Sequence, residues 1–230
     1  MCDVEIPKHI GFIVDGNRRW AKQNGLSAYE GHIAGYDKIK GIASIIFDEG
    51  VKYASIYAFS TENWKRSEEE VSGLMGLLIR FLKADLNEIG DKNIRIKILG
   101  SRDKLSPEII KAIDQAESKT VNNTAGTLAI CFNYGGQLEI ADAVKKIIDS
   151  GIASSDITPE LIGQNLYASD IPPVDIVVRT SGEKRLSNFM LWRTAYSEIM
   201  FIDRMWPDMT KQDIRVIIDE YNKRSRRFGG

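Results

Sequence analysis

The hydrophobic positions of this chain follow two alternating patterns along its length. Short, nearly continuous apolar runs recur, and each suits a strand that is buried on both faces of a parallel sheet. Between these runs, apolar residues recur at three- and four-residue intervals, as in amphipathic helices. The alternation predicts an α/β fold with a mainly parallel central sheet flanked by helices. The predicted strands are Ile10 to Val14, Tyr53 to Phe59, Ile94 to Leu99, Thr127 to Phe132 and Asp175 to Val178.

The longest helical pattern, Glu68 to Ile89, begins with acidic residues, which suit a helix N-terminus, and is apolar over more than one face. Such a surface is typical either of a core helix or of a helix that lines an apolar cavity. Helix-starting signals stand at Ser106-Pro107 and Thr158-Pro159. The pattern contains no internal repeat or linker, so we expect a single domain over residues 1–230.

The amino-acid composition of the chain excludes several classes of protein. The chain has 230 residues, of which 43% are hydrophobic and 27% charged, with a formal net charge of −1. This is enough chain for a full core without metals or disulfides, and the charge balance excludes a general basic surface for nucleic acid. The sequence as given predicts neither a signal peptide nor a membrane-spanning apolar stretch. The two cysteines, Cys2 and Cys131, suggest no disulfide or zinc site, so we expect a cytoplasmic location.

A polar cluster directly follows the first predicted strand. Asp15 comes at its carboxyl end, where open α/β sheets bind ligands, and Gly16 permits a sharp turn. A helix that starts after Asn17 would direct backbone N–H groups, together with Arg18 and Arg19, towards an anion such as phosphate. Asp15 would then be placed to hold Mg²⁺ against that phosphate. The alternative is that Asp15 and Asn17 only cap a turn.

Similar clusters follow three other predicted strands, beginning at Ser60, Asn133 and Arg179. Because the carboxyl ends of parallel strands lie on one edge of a sheet, we expect the clusters to share one cleft. Arginine is the prominent cation in them, and its planar fork suits bidentate contact with phosphate. The alternative for each arginine taken singly is a solvated surface position. Five arginines in one cleft predict a site for more than one phosphate. They are Arg18, Arg19, Arg66, Arg179 and Arg185.

Several longer motifs resemble the cis-prenyltransferase family, and the resemblance runs from His9 to Gly230. The motifs, in chain order, are Asp15-Gly-Asn-Arg-Arg-Trp-Ala21, Gly31-His32 with Ala34-Gly35, Tyr57-Ala-Phe-Ser-Thr-Glu-Asn-Trp-Lys-Arg66, Asn133-Tyr-Gly-Gly136 and a block from Asp175 to Pro207.

This resemblance implies a Mg²⁺-dependent condensation. Isopentenyl diphosphate would attack an allylic diphosphate, such as farnesyl diphosphate, to give a polyprenyl diphosphate such as undecaprenyl diphosphate. The family fold implies an apolar tunnel for the prenyl chain and a homodimer. A long product implies peripheral contact with a membrane, because an apolar tail is released into a bilayer rather than into water.

The resemblance also implies roles for individual residues. The implied metal-associated acids are Asp15 and Glu198. The allylic diphosphate would be cradled by Gly16, Asn17, Arg18 and Arg19, and isopentenyl diphosphate by Arg179, Arg185 and Ser187. The residues implied to surround the reacting centre are His32, Ser60, Asn63 and Arg66. One of these four is expected to assist proton removal. The site walls would be Trp20 and Trp64. The terminal motif that would reach the partner's diphosphate site contains Arg227 and Gly229.

The chain departs from the family pattern at four positions: Ala28 and Arg193 replace arginine and glutamine, Ser181 stands in the Thr-Gly-Gly-Glu motif, and Gln137 replaces arginine. The arginine missing at position 28 would affect diphosphate affinity or substrate choice. One alternative function is a non-catalytic partner subunit of a heteromeric enzyme, which typically lacks the metal-binding aspartate. A second alternative is an enzyme of the same fold with a shorter or unusual prenyl product. Another is a Mg²⁺ phosphohydrolase, whose usual second aspartate is replaced here by Asn17.

Overall fold

The structure is a computed structural model, and it describes residues 5–84, 86 and 91–224. Six parallel strands form one sheet, in the order β3-β4-β2-β1-β5-β6. The strands are β1 (His9–Ile13), β2 (Tyr53–Ser60), β3 (Ile94–Leu99), β4 (Gly126–Tyr134), β5 (Ile176–Arg179) and β6 (Glu198–Phe201).

Helices connect the strands and cover the sheet. The described helices are α1 (Asn17–Gln23), α2 (Ala28–Asp48), α3 (Glu68–Lys83), α4 (Pro107–Thr120), α5 (Gly136–Asp149), α6 (Pro159–Asn165) and α7 (Lys211–Lys223). Three short 3₁₀ turns occur at Thr61–Lys65, Ser154–Asp156 and Trp206–Asp208. Within the described part of the chain, no helix combines the length and the apolar character needed to cross a bilayer.

The core lies on both faces of the sheet. The larger cluster joins one face of β1, β2 and β4 to α2, α3, α4 and α7, with Phe12, Ile46 and Phe81 among its buried members. The smaller cluster covers the other face and contains Tyr57 and Phe189, whose rings stack with centroids 5.1 Å apart. Burial on both faces explains why β1 and β4 are apolar throughout rather than alternating.

The predicted α/β architecture with a parallel central sheet is confirmed, and the five predicted strands are present with ends shifted by a few residues. The pattern missed β6, which is short and only partly buried, and which becomes a strand by pairing with β5. The helix predicted over Glu68 to Ile89 is described as far as Lys83, and most of the remainder lies outside the described residues.

Candidate active site

The carboxyl ends of β1, β2 and β5 open into one cleft of about 620 Å³. Asp15 follows β1, Ser60 ends β2 and Arg179 ends β5, and β1 lies between the other two strands. All three side chains line the cleft. The structure therefore brings together three of the four predicted strand-end clusters. Asn133, at the fourth, instead accepts a hydrogen bond from Trp64 Nε1 at 2.7 Å and donates to the Ser101 and Asp103 carbonyls.

Asp15 is held by cationic and backbone donors. Its Oδ2 accepts a hydrogen bond from Arg179 Nη2 at 2.8 Å, and its Oδ1 accepts from the Gly16 N–H at 2.7 Å. Arg19 Nη2 lies 3.4 Å from the same Oδ1. Partial burial works to raise the pKa of Asp15, but these donors outweigh it and hold the pKa below its usual value. The carboxylate is therefore ionised at neutral pH.

The turn after Asp15 depends on glycine and on close helix packing. Gly16 has φ +104°, and an added Cβ would lie 2.9 Å from Ser181 Cβ and 3.0 Å from Met205 Cβ. Asn17, which begins α1, sits on Gly35 of α2, where an added Cβ would come within 2.5 Å of Asn17 Oδ1. That oxygen is buried and has no hydrogen-bond partner among the described residues. An orphaned buried acceptor that lines the cleft is available to a ligand.

A second recess of about 490 Å³ adjoins the first and is more strongly cationic. The two share Val14, Asp15, Asn17, His32 and Arg66. The second adds Gly16, Arg18, Arg19 and Lys22. Lys22 was not predicted as a site residue, although it lies four residues after Arg18 on α1 and so faces the same side of that helix. Two cationic recesses with Asp15 between them have the layout needed for two anionic groups.

Arg179 is almost fully buried at the floor of the first recess. Besides Asp15, it donates from Nη1 to the Arg185 carbonyl at 2.6 Å and to Ser187 Oγ at 2.7 Å. Its Nε is buried without a partner. Arg185 is exposed at the rim and pairs with Glu183. Several residues of this loop adopt positive φ angles, so the backbone around the arginines is held in an unusual conformation: Ser181, Gly182, Ser187, Asn188 and Met190.

Ser60 and Asn63 form a capped 3₁₀ turn at the mouth of the cleft. The Ser60 N–H donates to Asn63 Oδ1 at 3.1 Å, and the Ser60 side chain accepts from the Asn63 N–H in return. This reciprocal cap fixes the turn that carries Arg66 towards both recesses.

The two tryptophans predicted as site walls pack elsewhere. Trp64 packs edge-on against Phe59, with ring centroids 5.3 Å apart, and Trp20 Nε1 donates to Asp208 Oδ1 at 2.7 Å. Neither is among the residues that line the two recesses. In this structure both support the elements around the cleft.

A third, apolar pocket opens from the same residues. It is lined by Val14, Asn17 and His32, which it shares with the recesses, and by side chains from α2, α3 and the sheet, including Tyr36, Leu77, Phe81 and Phe132. Its volume is about 70 Å³, compared with about 150 Å³ for an apolar cavity known to bind benzene. The apolar pocket therefore lies where the tunnel was predicted, and it is small among the described residues. Phe132 stacks on Phe59 at 5.0 Å and helps to close it.

One of the two predicted metal-associated acids, Glu198, does not lie beside Asp15. Glu198 begins β6 and pairs in register with Ile176, the first residue of β5, so it lies at the amino end of the sheet. Its carboxylate pairs with Arg224 at 3.0 Å. The structure of the single chain therefore does not join Glu198 and Asp15 into one metal site. Arg227 and Gly229 lie outside the described residues.

Asp15 is suited to Mg²⁺ when phosphate oxygens complete the coordination. Its side chain is 30% exposed and faces both recesses. Mg²⁺ is commonly held by one or two carboxylates plus substrate phosphates and water. Among the described residues no group of three or more acids, histidines or cysteines is arranged to hold a metal alone. The remaining ligands would have to come from the substrate and from water.

The four departures fall in different environments. Ala28 is the exposed first residue of α2, one turn before His32. Gln137 is exposed and donates its N–H to Asn188 Oδ1, while the Ser181 side chain and carbonyl both accept from Arg19. Arg193 is buried and pairs with the fully buried Glu139 at 2.7 Å. Ser181 therefore contacts Arg19, which lines the second recess, whereas Arg193 belongs to the core.

Glu70 is a charged residue near the site. The sequence pattern predicted it only as part of the acidic start of a helix. Glu70 approaches His32 and Arg66, at 3.0 and 2.8 Å. The four-residue spacing between Arg66 and Glu70 was the available signal, because such pairs face each other on a helix.

Comparison with known proteins places the whole chain in one family. Residues 13–229 match the family model described as putative undecaprenyl diphosphate synthase. The chain is 45% identical to an isoprenyl transferase of Agrobacterium fabrum, covering 97% of this chain and 92% of that protein. It is 42% identical to an isoprenyl transferase of Thermotoga maritima, covering 99% of this chain and 98% of that protein.

Two solved structures are also similar over nearly the full length of both chains. One is lavandulyl diphosphate synthase from Lavandula x intermedia in complex with dimethylallyl diphosphate, with a TM-score of 0.93, 32% identity, and coverage of 98% of this chain and 99% of that chain. The other is a probable undecaprenyl diphosphate synthase from Campylobacter jejuni, with a TM-score of 0.83, 31% identity and the same coverage.

Proposed function

The chain belongs to the undecaprenyl diphosphate synthase family of cis-prenyltransferases, and on that basis we propose the substrates that its cleft receives. The chain transfers a prenyl group. We propose that it condenses isopentenyl diphosphate with an allylic diphosphate, with farnesyl diphosphate as the primer, and that it depends on Mg²⁺. The observation that carries the proposal is the pair of cationic recesses that meet at Asp15, with an apolar pocket opening between them at His32.

The second recess suits the allylic diphosphate. Arg18, Arg19 and Lys22 surround it, and within the described part of the chain Asp15 is the one acidic residue that lines it. Charge-assisted hydrogen bonds from these cations would hold the diphosphate and stabilise the charge that grows on it as the C–O bond breaks. Mg²⁺ bound at Asp15 would supply further neutralisation of the leaving diphosphate.

The first recess suits isopentenyl diphosphate. Arg179 and Arg185 provide guanidinium groups there, and the unpartnered Nε of Arg179 supports the presence of an additional acceptor in the complex. Ser187 and Asn63 line the same recess and add hydrogen-bonding groups. With the two diphosphates on either side of Asp15, the two prenyl groups would meet near His32 and the apolar pocket.

The growing chain would enter the pocket between α2, α3 and the sheet. The pocket has less than half the volume of an apolar cavity of about 150 Å³ that binds benzene, so side chains around it, including those of α3, must move before a polyprenyl chain fits. The second candidate is an enzyme of the same fold with a short or unusual prenyl product. The structural similarity to lavandulyl diphosphate synthase is consistent with that candidate.

The non-catalytic partner subunit is the weaker candidate. Such a subunit has no need of a diphosphate cleft, whereas here Asp15, Asn63, Arg66, Arg179 and Arg185 all line connected recesses.

A homodimer is part of the proposal. In the single chain β6 is an edge strand, and a groove beside it is lined by Trp192 and by Tyr196, which is 78% exposed. The exposed ring of Tyr196, beside the partly buried Trp192 near this sheet edge, supports an interface there. In such a dimer the terminal motif with Arg227 and Gly229 would complete the partner's site. We also propose peripheral contact with a membrane for release of a long product.

The test is an extension assay with purified protein, Mg²⁺, labelled isopentenyl diphosphate and, in parallel, dimethylallyl, geranyl or farnesyl diphosphate. We expect labelled prenyl diphosphates, whose length chromatography would establish, and no product without Mg²⁺. Phe132→Ala should lengthen the product, since it removes a ring that closes the pocket; Phe189→Leu, on the opposite face of the sheet, is the control. Absence of extension with every primer, by protein that is folded, would refute the homomeric enzyme.

A further inference from the structure

One carboxylate beside the cleft joins groups from three different elements. Glu70, in the first turn of α3, lies 3.0 Å from His32 Nε2 on α2 and 2.8 Å from Arg66 Nη1 on the loop before α3. Its other oxygen lies 3.8 Å from Arg18 Nη1 on α1. All three partners line the second recess, while Glu70 does not line either recess itself. Glu70 therefore stands behind the groups that would touch the substrates.

In two other helices, the acidic residue three positions after the cap has a different role from that of Glu70. Helices α2 and α7 begin with a Ser or Thr cap, and the acid three residues later bonds back to it: Glu30 to the Ser27 N–H at 2.8 Å, and Asp213 to the Thr210 N–H at 2.8 Å. Helix α3 has the same pattern in Ser67 and Glu70, and the Glu70 N–H donates to Ser67 Oγ. The Glu70 carboxylate, however, is directed to His32 and Arg66 instead of to its own cap.

The contact determines which ring nitrogen of His32 carries the proton. Burial would raise the pKa of Glu70, but the His32 hydrogen bond and the charges of Arg66 and Arg18 outweigh it and keep the pKa below its usual value. An ionised carboxylate only accepts hydrogen bonds, so Nε2 of His32 must be the donor. Burial also lowers the pKa of His32, against the Glu70 hydrogen bond, and favours the neutral ring. In that ring Nδ1 is unprotonated and is an acceptor.

We propose that Glu70 is a positioning residue of the active site, which holds His32 in the Nε2–H tautomer and fixes the guanidinium of Arg66 beside it. The inference rests on the proposed function for its catalytic consequence, but not for its geometry. His32 borders both recesses and the apolar pocket. Glu70 therefore fixes the ring orientation and tautomer of a histidine that lies where the diphosphate groups and the prenyl chains would meet, in the way that a buried carboxylate orients histidine in hydrolytic triads.

The chain allows a direct test of the tautomer, because it contains two histidines, His9 and His32. In ¹⁵N-histidine-labelled protein, the two-bond ¹⁵N–¹H correlations should show His32 as the Nε2–H tautomer. Glu70→Ala should change the tautomer ratio or exchange of His32, whereas Glu70→Gln, which keeps an acceptor oxygen, should preserve the wild-type pattern. His9 bonds to Ser55 and Pro172 at the other end of β1, and its signals should stay unchanged as an internal control.

Kinetics tests the consequence separately. We expect Glu70→Ala to lower kcat by about 10²-fold with a smaller change in KM, because small displacements of positioned groups cost about that much. Glu70→Gln should recover most of the activity, and Glu69→Gln, an exposed neighbour in the same turn, should match the wild type. An unchanged His32 tautomer in folded Glu70→Ala would overturn the inference, and so would activity within about 2-fold of wild type for that variant. A wild-type protein without transferase activity, but with the expected His32 signals, would instead refute the proposed function.

Discussion

Two arginine–carboxylate pairs in this protein contrast in how completely their hydrogen bonds are satisfied. In the core, Glu139 accepts from Arg193, from the Tyr134 hydroxyl at 2.5 Å and from the Tyr167 N–H at 3.1 Å. Arg193 also donates to the carbonyls of Tyr167, Ala168 and Ile171. In the cleft, Arg179 pairs with Asp15 at the same kind of distance, yet Arg179 keeps an unpartnered buried Nε and Asp15 stays partly exposed.

The difference separates structure from chemistry. A pair whose capacity is filled by protein groups can only hold the fold together, and breaking it leaves a buried charge. A pair with capacity left over in a cleft is available to an incoming anion or metal. Residue type does not distinguish the two pairs, because each consists of an arginine and a carboxylate. The other hydrogen-bond partners of each pair distinguish them.

The largest effect is expected from breaking the core pair. Arg193→Met should lower the free energy of unfolding by about 3–5 kcal/mol, because it removes the cation that pairs with Glu139 in the core. Urea unfolding measures this. Adding Glu139→Gln, whose neutral amide can accept from the Tyr167 N–H and donate to the Tyr134 hydroxyl oxygen, should restore a substantial part of the loss. A loss below about 1 kcal/mol for Arg193→Met would contradict the structural role.

Breaking the cleft pair should affect activity rather than stability. Asp15→Asn should lower kcat by about 10²–10³-fold, a cost of about 2.7–4 kcal/mol in transition-state stabilisation, since the metal-binding charge is lost. The free energy of unfolding should change less than in Arg193→Met, because Asp15 is partly exposed and the amide oxygen of the variant can still accept from Arg179. Steady-state kinetics and urea unfolding on the same preparation measure both. If Asp15→Asn lowered the free energy of unfolding as much as Arg193→Met does, Asp15 would be a structural residue like Arg193.

His9 extends the comparison to a titratable group that is fully satisfied and far from the cleft. Burial lowers its pKa to about 4, against a hydrogen bond to Pro172. Between the usual value and about 4 the unfolded chain binds more protons than the folded one, so stability should fall by about 3 kcal/mol as the pH drops through that window. Unfolding curves at several pH values test this. His9→Asn should have a flatter pH dependence; an equally steep one would assign the effect to other groups.

The smallest effect is expected from adding charge to the open site. Ala28 precedes His32 by one helical turn on α2, so its side chain lies on the face that borders the second recess. Ala28→Arg should lower the KM for the allylic diphosphate by about 5-fold, corresponding to less than about 1 kcal/mol for an exposed ion pair. The decrease should shrink with added salt. Unchanged KM at low salt would show that position 28 does not reach the substrate.

The fold was largely readable from the sequence because burial on both faces leaves a strong local pattern. Ile10, Ile56 and Ile130 belong to apolar runs that need no knowledge of their neighbours to be recognised as strands. The strand β6 could not be recognised in this way, because Glu198 to Phe201 is short and mixed in polarity. Its pairing with β5 is a long-range property.

Part of the site followed from the same logic. The convergence of Asp15, Ser60 and Arg179 was predicted because parallel strands carry their carboxyl ends to one edge. The position of Glu198 was not, since the strand register, which local sequence does not encode, places it at the opposite end of the sheet. Trp20 and Trp64 stand within site motifs, yet their ring N–H groups are directed to Asp208 and Asn133.

The sequence alone determined which residues are available and on which edge of the sheet they gather: Asp15 after a buried strand, arginines after others, and an apolar helix beside them. Those features depend on periodicity and chain order, which are local. The tertiary structure alone decided which charges are satisfied. Arg193 and Glu139, or Glu70, His32 and Arg66, come from separate elements, and only packing brings their atoms within 3 Å of one another. Hydrogen-bond partners across elements depend on that packing, so the division between structural and functional charges becomes visible only in the folded chain.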